Sequence, residues 1–227
     1  MRVHGINSVR EALKAGKVNR IYISSSAKSS RISGLVSLAK KSGIPVVHVK
    51  NLNSNVEADI SPVRYLNLDL IIEKALKSAG VIVFLDSVQD PQNLGSVIRN
   101  AVFFGCTGVV IPKRRGVQVN ETVIKTSSGA VFHINISRVS NLANSIKKLK
   151  KYGFLVLGAE PEGRNICEIQ FDFPLAVVIG GEDEGISKPV RKQCDEIVSI
   201  PSHGKTDSLN LSCASAILLY EIRRRIK

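Results

Sequence analysis

The chain has 227 residues, of which 44% are hydrophobic and 22% are charged, so it is long enough for one large domain or two small ones with a sizeable core. No stretch approaches the roughly 20 apolar residues that a membrane-spanning helix needs, and the first residues lack the apolar run of a signal peptide; we therefore expect a cytoplasmic protein. The formal net charge of +13 fits either a basic protein without a polyanionic partner or one that binds nucleic acid.

The first third of the chain predicts a small α/β module. Residues 8–11 fit a capping box, which opens a helix that ends at Gly16. Apolar residues at helical spacing over 32–39 predict a second helix. Short apolar runs at 21–23 and 45–49 predict strands. Together these elements indicate a small α/β unit.

Positive charge is concentrated in this part of the chain. Residues 1–77 hold 13 Lys/Arg against 5 Asp/Glu, whereas residues 78–227 hold 19 against 14. This asymmetry indicates a nucleic-acid-binding module joined to a less basic body. Helical spacing over 67–79 predicts a helix near the junction. We therefore expect the domains to be residues 1–70 and 81–227, with a linker at 71–80.

The second domain alternates strands with helices. Its first strand is an apolar run without polar alternation, as in a strand that is buried on both faces. Such alternation predicts a parallel sheet that is covered by helices on both faces, and ligands of such sheets bind beyond the carboxyl ends of the strands. The predicted strands are 81–85, 108–111, 131–136, 154–158, 175–179 and 197–200, and the predicted helices are 94–104, 120–127, 141–151, 187–194 and 208–225.

The four cysteines are dispersed along the chain. No two of them have the close spacing of a zinc site or a redox motif. Each has apolar or small neighbours, so a buried free thiol is the expectation. We therefore predict no metal site and no disulfide among Cys106, Cys167, Cys194 and Cys213.

The first unusual strand end covers residues 86–100. A buried strand enters a loop rich in Pro, Asn and Gly, and a helix follows. Asn93 is well suited to cap that helix, whose free N–H groups would favour an anion. Arg99 lies near the helix start, where a cation opposes the helix dipole, and a residue placed against local preference often has a function. The alternative is a solvated surface arginine beside an ordinary cap.

The second unusual strand end covers residues 177–188. Gly180 and Gly181 would let the backbone approach a ligand closely, and three acidic residues follow at once. The alternative is a solvated turn ahead of a helix that Ser187 caps. The glycine spacing matches neither the dinucleotide-binding fingerprint nor a phosphate-binding P-loop.

The third unusual strand end covers residues 200–216. A strand enters a polar loop, and the helix behind it begins with Ser208, Asn210 and Ser212, residue types that favour caps over helix interiors. His203 has the chemistry of a general base, but a lone histidine in a loop is more often solvated or packed.

Together the three segments resemble the SpoU/TrmH branch of the SPOUT class of RNA methyltransferases, over about residues 81–220. Residues 5–13 also look like the start of the N-terminal substrate-binding domain that is frequent in this family. The resemblance implies a homodimer and a C-terminal trefoil knot that forms the cofactor site. The matching residues are DPQNLG at 90–95 with Arg99, IGGE at 179–182 with Gly185, IP at 200–201 with Gly204, and SLNLS at 208–212.

The resemblance also implies which residues form the site. The active site would be lined by Asn93, Arg99, Glu182, Ser208 and Asn210, and the main chain around Gly180, Gly181, Ile200 and Leu209 would hold the adenosine of S-adenosylmethionine. Relatives commonly have a methionine and a small residue where this chain has Ser202 and His203. The resemblance therefore does not indicate the shape of this loop. The resemblance implies that Arg99 activates the ribose 2′-hydroxyl. Because a guanidinium stays protonated, we interpret it as a phosphate clamp and a stabiliser of the developing alkoxide, with Glu182 fixing Arg99 or the loop.

The function that the resemblance implies is S-adenosylmethionine-dependent 2′-O-methylation of a ribose, in a guanosine of large-subunit ribosomal RNA. Transfer RNA is the alternative substrate, and we expect no DNA or membrane partner. A non-catalytic RNA-binding protein would explain the charge equally well, but not the presence of Arg99, Glu182 and Asn210 together. A methyltransferase of the open Rossmann type would instead have a glycine-rich turn after its first strand, where this chain has DPQNLG.

Overall fold

The computed structural model describes residues 1–182, 184–205 and 208–225, and it divides into two compact units. The first unit comprises Met1–Arg64 and Val119–His133; the second comprises Tyr65–Gln118 and the chain from Ile134 onward. The strands are β1 (Arg2–His4), β2 (Val18–Ser24), β3 (Val46–Val49), β4 (Val56–Ile60), β5 (Val81–Asp86), β6 (Gly108–Pro112), β7 (Asn135–Val139), β8 (Leu155–Asn165), β9 (Leu175–Gly180) and β10 (Glu196–Ser199). The α-helices are α1 (Ile6–Lys14), α2 (Ser30–Lys41), α3 (Leu68–Lys77), α4 (Pro91–Phe103), α5 (Glu121–Thr126), α6 (Leu142–Lys151), α7 (Lys188–Arg191) and α8 (Leu211–Arg223).

The first unit contains a four-stranded sheet in the order β1-β4-β2-β3. The pair β2 and β3 is parallel, whereas β4 is antiparallel to both of its neighbours. Helices α1, α2 and α5 belong to this unit. The sequence prediction missed β1 and β4, which are short or carry acidic residues: Glu57 on β4 is buried and interacts with His4 and Arg2.

The start of α1 differs from its prediction. The helix begins at Ile6 after Gly5, whose φ of 92° only glycine adopts readily, so Ser8 lies within the helix and is not its cap. The Ser8 hydroxyl donates to the Ile124 carbonyl, and Glu11 binds Lys14 and His133. The capping box was therefore a wrong interpretation of residues 8–11.

The second unit contains a six-stranded sheet in the order β10-β8-β9-β5-β6-β7, and every pairing in it is parallel. This confirms the predicted parallel sheet. The central strand β5 is buried along its whole length, as its unbroken apolar run indicates. Phe84 and Val178 of the sheet pack with Ile71 of α3 and Ile146 of α6 in one apolar cluster, and each such side chain contributes about 1.5–3 kcal/mol by its burial. This core fixes the strand ends that carry the site.

Several boundaries in the second half differ from the sequence prediction. Residues 130–133 form a 3₁₀ turn and β7 begins only at Asn135. The observed strand therefore starts later than the strand predicted over 131–136. Helix α3 covers most of the segment that we expected to be a linker, and it belongs to the second unit. Helix α7 has a single turn, and α8 begins at Leu211, three residues later than predicted.

The cysteines correct a further prediction. Cys167 and Cys213 are exposed, because they lie on the outer sides of a short 3₁₀ turn and of α8, so the expected burial was wrong for these two. Cys106 and Cys194 are half-buried, and burial raises the pKa of each thiol to about 12. Among the described residues, no group of His, Cys, Asp and Glu side chains could hold a metal ion. In the same part of the chain, no helix has the length and hydropathy needed to cross a membrane.

Candidate active site

A cavity of about 550 Å³ opens at the carboxyl ends of β9 and β10, beside the middle of β8 and the first turns of α8. Its volume is in the range of small-molecule sites, and its position is where parallel sheets bind ligands. The cavity is lined by residues 159–161, 179–182, 185, 198–202, 208–211, 214 and 218.

The turn after β9 forms one wall of this cavity through its backbone. A Cβ atom on Gly180 would lie 2.1 Å from the carbonyl carbon of Gly185, and one on Gly181 would lie 2.6 Å from the Ser87 carbonyl oxygen. Because real Cβ atoms do not approach other atoms so closely, both positions require glycine. Gly185 itself has a φ of 63°. The paired glycines therefore bring main chain, without side chains, to the cavity.

A buried carboxylate at the end of β5 anchors this turn. The Asp86 side chain accepts hydrogen bonds from the Ser187 amide at 2.9 Å and the Ser187 hydroxyl at 2.6 Å, and the Asp86 carbonyl accepts from the Gly181 amide at 2.8 Å. Ser187 does precede α7 as predicted, but its hydroxyl makes no cap bond. Asp86 was not among the predicted site residues, although an acidic residue that ends an otherwise apolar strand is a signal that the sequence contains.

The first turn of α8 forms a second wall. The Asn210 side chain accepts from the Cys213 amide at 2.8 Å and so caps this helix. Ser208 and Leu209, just ahead of it, are exposed and line the cavity. The loop residue His203 is exposed and makes no hydrogen bond or ion pair with the rest of the described chain, as expected for a solvated histidine.

Helix α4 carries the other two predicted active-site residues. The helix begins at Pro91 and is capped by Asp90, whose side chain accepts from the Gln92 amide at 2.9 Å, so Asn93 is not the cap and lies inside the first turn. Arg99 is exposed further along the helix. Neither Asn93 nor Arg99 is among the described residues that line the cavity. The cavity thus brings together Gly180, Gly181, Glu182, Ile200, Ser208, Leu209 and Asn210, and leaves Asn93 and Arg99 on a neighbouring helix.

Two hydrogen bonds attach α4 to α8. The Asn100 amide group donates to the Ser212 carbonyl and the Ser215 hydroxyl, each at 2.9 Å. Ser215 is fully buried between the helices. Asn100 directly follows Arg99, so these bonds also fix the position of the Arg99 backbone relative to the first turns of α8.

A second acidic side chain in the cavity was missed by the sequence analysis. Glu160 lines it beside Pro161 and accepts from Arg191 at 2.8 Å, a bond that raises the pKa of the Arg191 guanidinium. The predicted strand ended at residue 158, whereas β8 continues to Asn165. This extension brings Glu160 to the cavity.

Two family models match the chain: the SpoU rRNA methylase family over residues 80–220, and the RNA 2′-O ribose methyltransferase substrate-binding family over residues 2–52. The chain belongs to the SpoU methylase family. It is an RNA ribose 2′-O-methyltransferase, and S-adenosylmethionine is its methyl donor.

Full-length relatives agree with this assignment. An uncharacterized tRNA/rRNA methyltransferase of Archaeoglobus fulgidus is 47% identical over 225 residues, which is 99% of each chain. A Staphylococcus haemolyticus protein assigned to the TrmH family of tRNA/rRNA methyltransferases is 37% identical, over 97% of this chain and 94% of its own. The fold is that of the SpoU methyltransferase AviRb from Streptomyces viridochromogenes, crystallised with S-adenosylmethionine: the TM-score is 0.84 at 23% identity, covering 99% of this chain and 90% of that one.

The cavity of this SpoU enzyme suits S-adenosylmethionine by its chemistry. The glycine turn lines one side of the cavity with main chain, because side chains at Gly180 and Gly181 would collide with the backbone of Gly185 and Ser87. Leu209 and Leu218 offer apolar surface to an adenine ring. Glu160 also lines the cavity, but its carboxylate already pairs with Arg191. A nucleoside has a polar sugar and an apolar base face, so a lining of main chain and leucine side chains is appropriate for the cofactor, whose sulfonium supplies the methyl group.

Proposed function

We propose that this enzyme methylates the 2′-oxygen of a guanosine in large-subunit ribosomal RNA. The observation that carries the site assignment is the cavity itself, in which residues from the middle of β8, the ends of β9 and β10 and the start of α8 meet. The basic excess of residues 1–77 and the substrate-binding model over residues 2–52 support a large folded RNA as substrate. Transfer RNA is the second candidate.

The roles of the domains are part of the proposal. Residues 1–70 would bind the RNA, and 81–227 would hold the cofactor and carry out methyl transfer. The segment 71–80, expected as a linker, lies mostly in helix α3 of the second unit. The last strand, the loop behind it and the start of α8 form most of the cavity, and we propose that this segment is the C-terminal trefoil knot. The cytoplasmic location expected from the sequence stays a prediction.

The neutral side chains of the cavity would orient the reactants. A ribose hydroxyl is a poor nucleophile, so its alignment with the methyl group can supply much of the rate. The main chain at Gly180, Gly181, Ile200 and Leu209 would hold the adenosine half of the cofactor. Ser208 and Asn210 would orient the reacting groups by neutral hydrogen bonds. Glu182, at the exposed rim of the cavity, would fix Arg99 or the glycine turn.

Arg99 would act from outside the cavity of its own protomer. We propose a homodimer in which Asn93 and Arg99 of one copy complete the site of the other, with Arg99 clamping a phosphate and stabilising the developing alkoxide. The surface of α4 and α8 supports this arrangement: Phe103 is 81% exposed and Tyr220 is 58% exposed. Large aromatic side chains in such positions are typical of protein interfaces.

Mapping of 2′-O-methyl groups tests the substrate. We expect RNA from cells that lack the gene to miss one modification, at a guanosine of large-subunit ribosomal RNA, and the purified enzyme to restore it with S-adenosylmethionine. Loss of a modification in transfer RNA would replace ribosomal RNA as the substrate. Calorimetry with S-adenosylmethionine is the companion measurement, since an RNA-binding protein without catalysis would release no heat.

Oligomeric state tests the dimer. We expect sedimentation to give twice the chain mass for the wild type and the monomer mass for Phe103→Glu, because a buried charge would disrupt an interface at α4. A monomeric wild type that still transfers methyl groups would contradict the shared site.

A further inference from the structure

A strongly basic turn follows β6. Lys113, Arg114 and Arg115 come directly after the last strand residue, Pro112, and all three are exposed. Within the described part of the chain, none of the three side chains takes part in an ion pair or a hydrogen bond. The turn therefore presents a concentrated positive charge that the protein itself does not neutralise.

The backbone of this turn is held in one conformation. The Gln118 side-chain amide donates to the Pro112 carbonyl at 3.0 Å and to the Gly116 carbonyl at 3.1 Å, and the Lys113 amide donates to the Val139 carbonyl at 2.8 Å. Arg115 has a φ of 60°, a left-handed conformation that costs energy in a residue other than glycine. A turn fixed in this way presents its cations with little further ordering on binding.

A series of close contacts leads from this turn to the cavity wall. The Val117 amide donates to the Val88 carbonyl at 2.9 Å. Ser87, the neighbour of Val88, lies against Gly181: the Cβ of an alanine there would be 2.6 Å from the Ser87 carbonyl oxygen. Gly181 lines the cavity. The basic turn and the cavity therefore share the carboxyl edge of the same sheet, separated by the loop that leads into α4.

We propose that Lys113, Arg114 and Arg115 bind phosphodiester groups of the RNA strand whose ribose enters the cavity. This inference rests on the proposed function and deepens it by assigning a path for the RNA backbone on the second unit. Arginine matches phosphate oxygens in a two-pronged geometry, and lysine adds a point charge. Contacts of this kind position a strand and raise its affinity without reading its sequence.

A charge-matched pair of variants tests the proposal. R114Q/R115Q removes two cations from the turn. K147Q/K151Q removes two exposed lysines of α6 that form no ion pair with the described residues; this helix ends just before β8 begins, so its last turn lies at the opposite edge of the sheet. Each full-length protein is titrated with a fluorescein-labelled single-stranded RNA oligonucleotide at several KCl concentrations, and RNA binding is followed by anisotropy.

We expect R114Q/R115Q to weaken RNA binding on the order of 10-fold at 0.1 M salt, and to lower the slope of log K against log salt by about 1.4, because each phosphate contact to a single strand contributes about 0.7. K147Q/K151Q should bind as the wild type does. The affinity of R114Q/R115Q for S-adenosylmethionine and its melting temperature should equal those of the wild type, which separates the turn from the cofactor cavity.

Three results would overturn the proposal. The first is an unchanged RNA affinity and salt slope in R114Q/R115Q, and the second is an equal loss of RNA affinity in K147Q/K151Q. The third is displacement of the labelled RNA by poly-glutamate as efficiently as by unlabelled RNA of equal charge; this result would indicate that the turn binds an acidic protein. A wild-type enzyme that methylates no RNA would refute the proposed function instead, and the binding data would still decide the role of the turn.

Discussion

Removal of the Asp86 carboxylate should loosen the glycine turn and weaken cofactor binding. In Asp86→Ala, the amide and hydroxyl of Ser187 lose their acceptor. A hydrogen bond to a charged group contributes about 1.5–3 kcal/mol. Since Ser187 is only partly buried and water can replace some of the loss, we expect unfolding to become easier by about 3 kcal/mol, or roughly 6–12 °C in Tm for a chain of this size.

The same change should also reach the cofactor, because Gly181 and Gly185 lie between Asp86 and the cavity. If the loosened turn must be reordered at a cost of about 1.4 kcal/mol, the Kd for S-adenosylmethionine rises about tenfold. Calorimetry gives the Kd and thermal unfolding gives the stability. Asp86→Asn retains an acceptor oxygen and should recover part of both quantities.

Asp195→Ala is the matched control for this effect. The Asp195 side chain also accepts a hydrogen bond from a backbone amide, that of Val156 at 2.9 Å, and it forms an ion pair with Lys150. It is not among the described residues that line the cavity. We expect it to lose stability while keeping the wild-type Kd. If Asp86→Ala behaved in the same way as this control, Asp86 would stabilise the fold without positioning the turn.

Three shorter predictions follow from the same geometry. Gly180→Ala should abolish S-adenosylmethionine binding in calorimetry, because its Cβ would lie 2.1 Å from a Gly185 backbone atom. A heat of binding equal to that of the wild type would show that the turn is less rigid than these contacts require. Arg99→Ala should lose methyl transfer yet bind the cofactor normally, and equal loss of both would place Arg99 in the cofactor cavity. In the folded enzyme, mass spectrometry after brief iodoacetamide treatment should find Cys167 and Cys213 alkylated and Cys106 intact, since burial raises the pKa of Cys106 to about 12; equal labelling would contradict that burial.

The local sequence predicts the parallel sheet well because burial leaves a direct signal. Strands such as β5 and β9 are buried on both faces. Their apolar runs therefore identify them as strands even when the neighbouring strands in the sheet are not known. The paired glycines at the end of β9 could also be interpreted from the sequence, because only a close backbone approach requires them. All four residues expected to hold the adenosine line the cavity, namely Gly180, Gly181, Ile200 and Leu209.

What the local sequence did not predict depends on distant residues. Residues 119–133 form one compact unit with the first 64 residues, and no local periodicity encodes that association. Strand β4 was missed because its Glu57 is buried by pairing with His4 and Arg2, both on another strand. Asp90 caps α4 in place of Asn93, because it directly precedes Pro91, a residue that is common at the first position of a helix.

In this chain the residues proposed for cofactor binding lie apart from those proposed for catalysis. The cavity wall consists largely of backbone, and its shape depends on Gly180, Gly181 and the Asp86 anchor. Arg99 and Asn93 project instead from α4, which α8 holds through Asn100. The residues proposed to hold S-adenosylmethionine therefore lie together in one protomer, whereas the charged group proposed for methyl transfer lies on a surface that exposes Phe103. This division is why the proposed function requires a second copy of the chain for methyl transfer and none for cofactor binding.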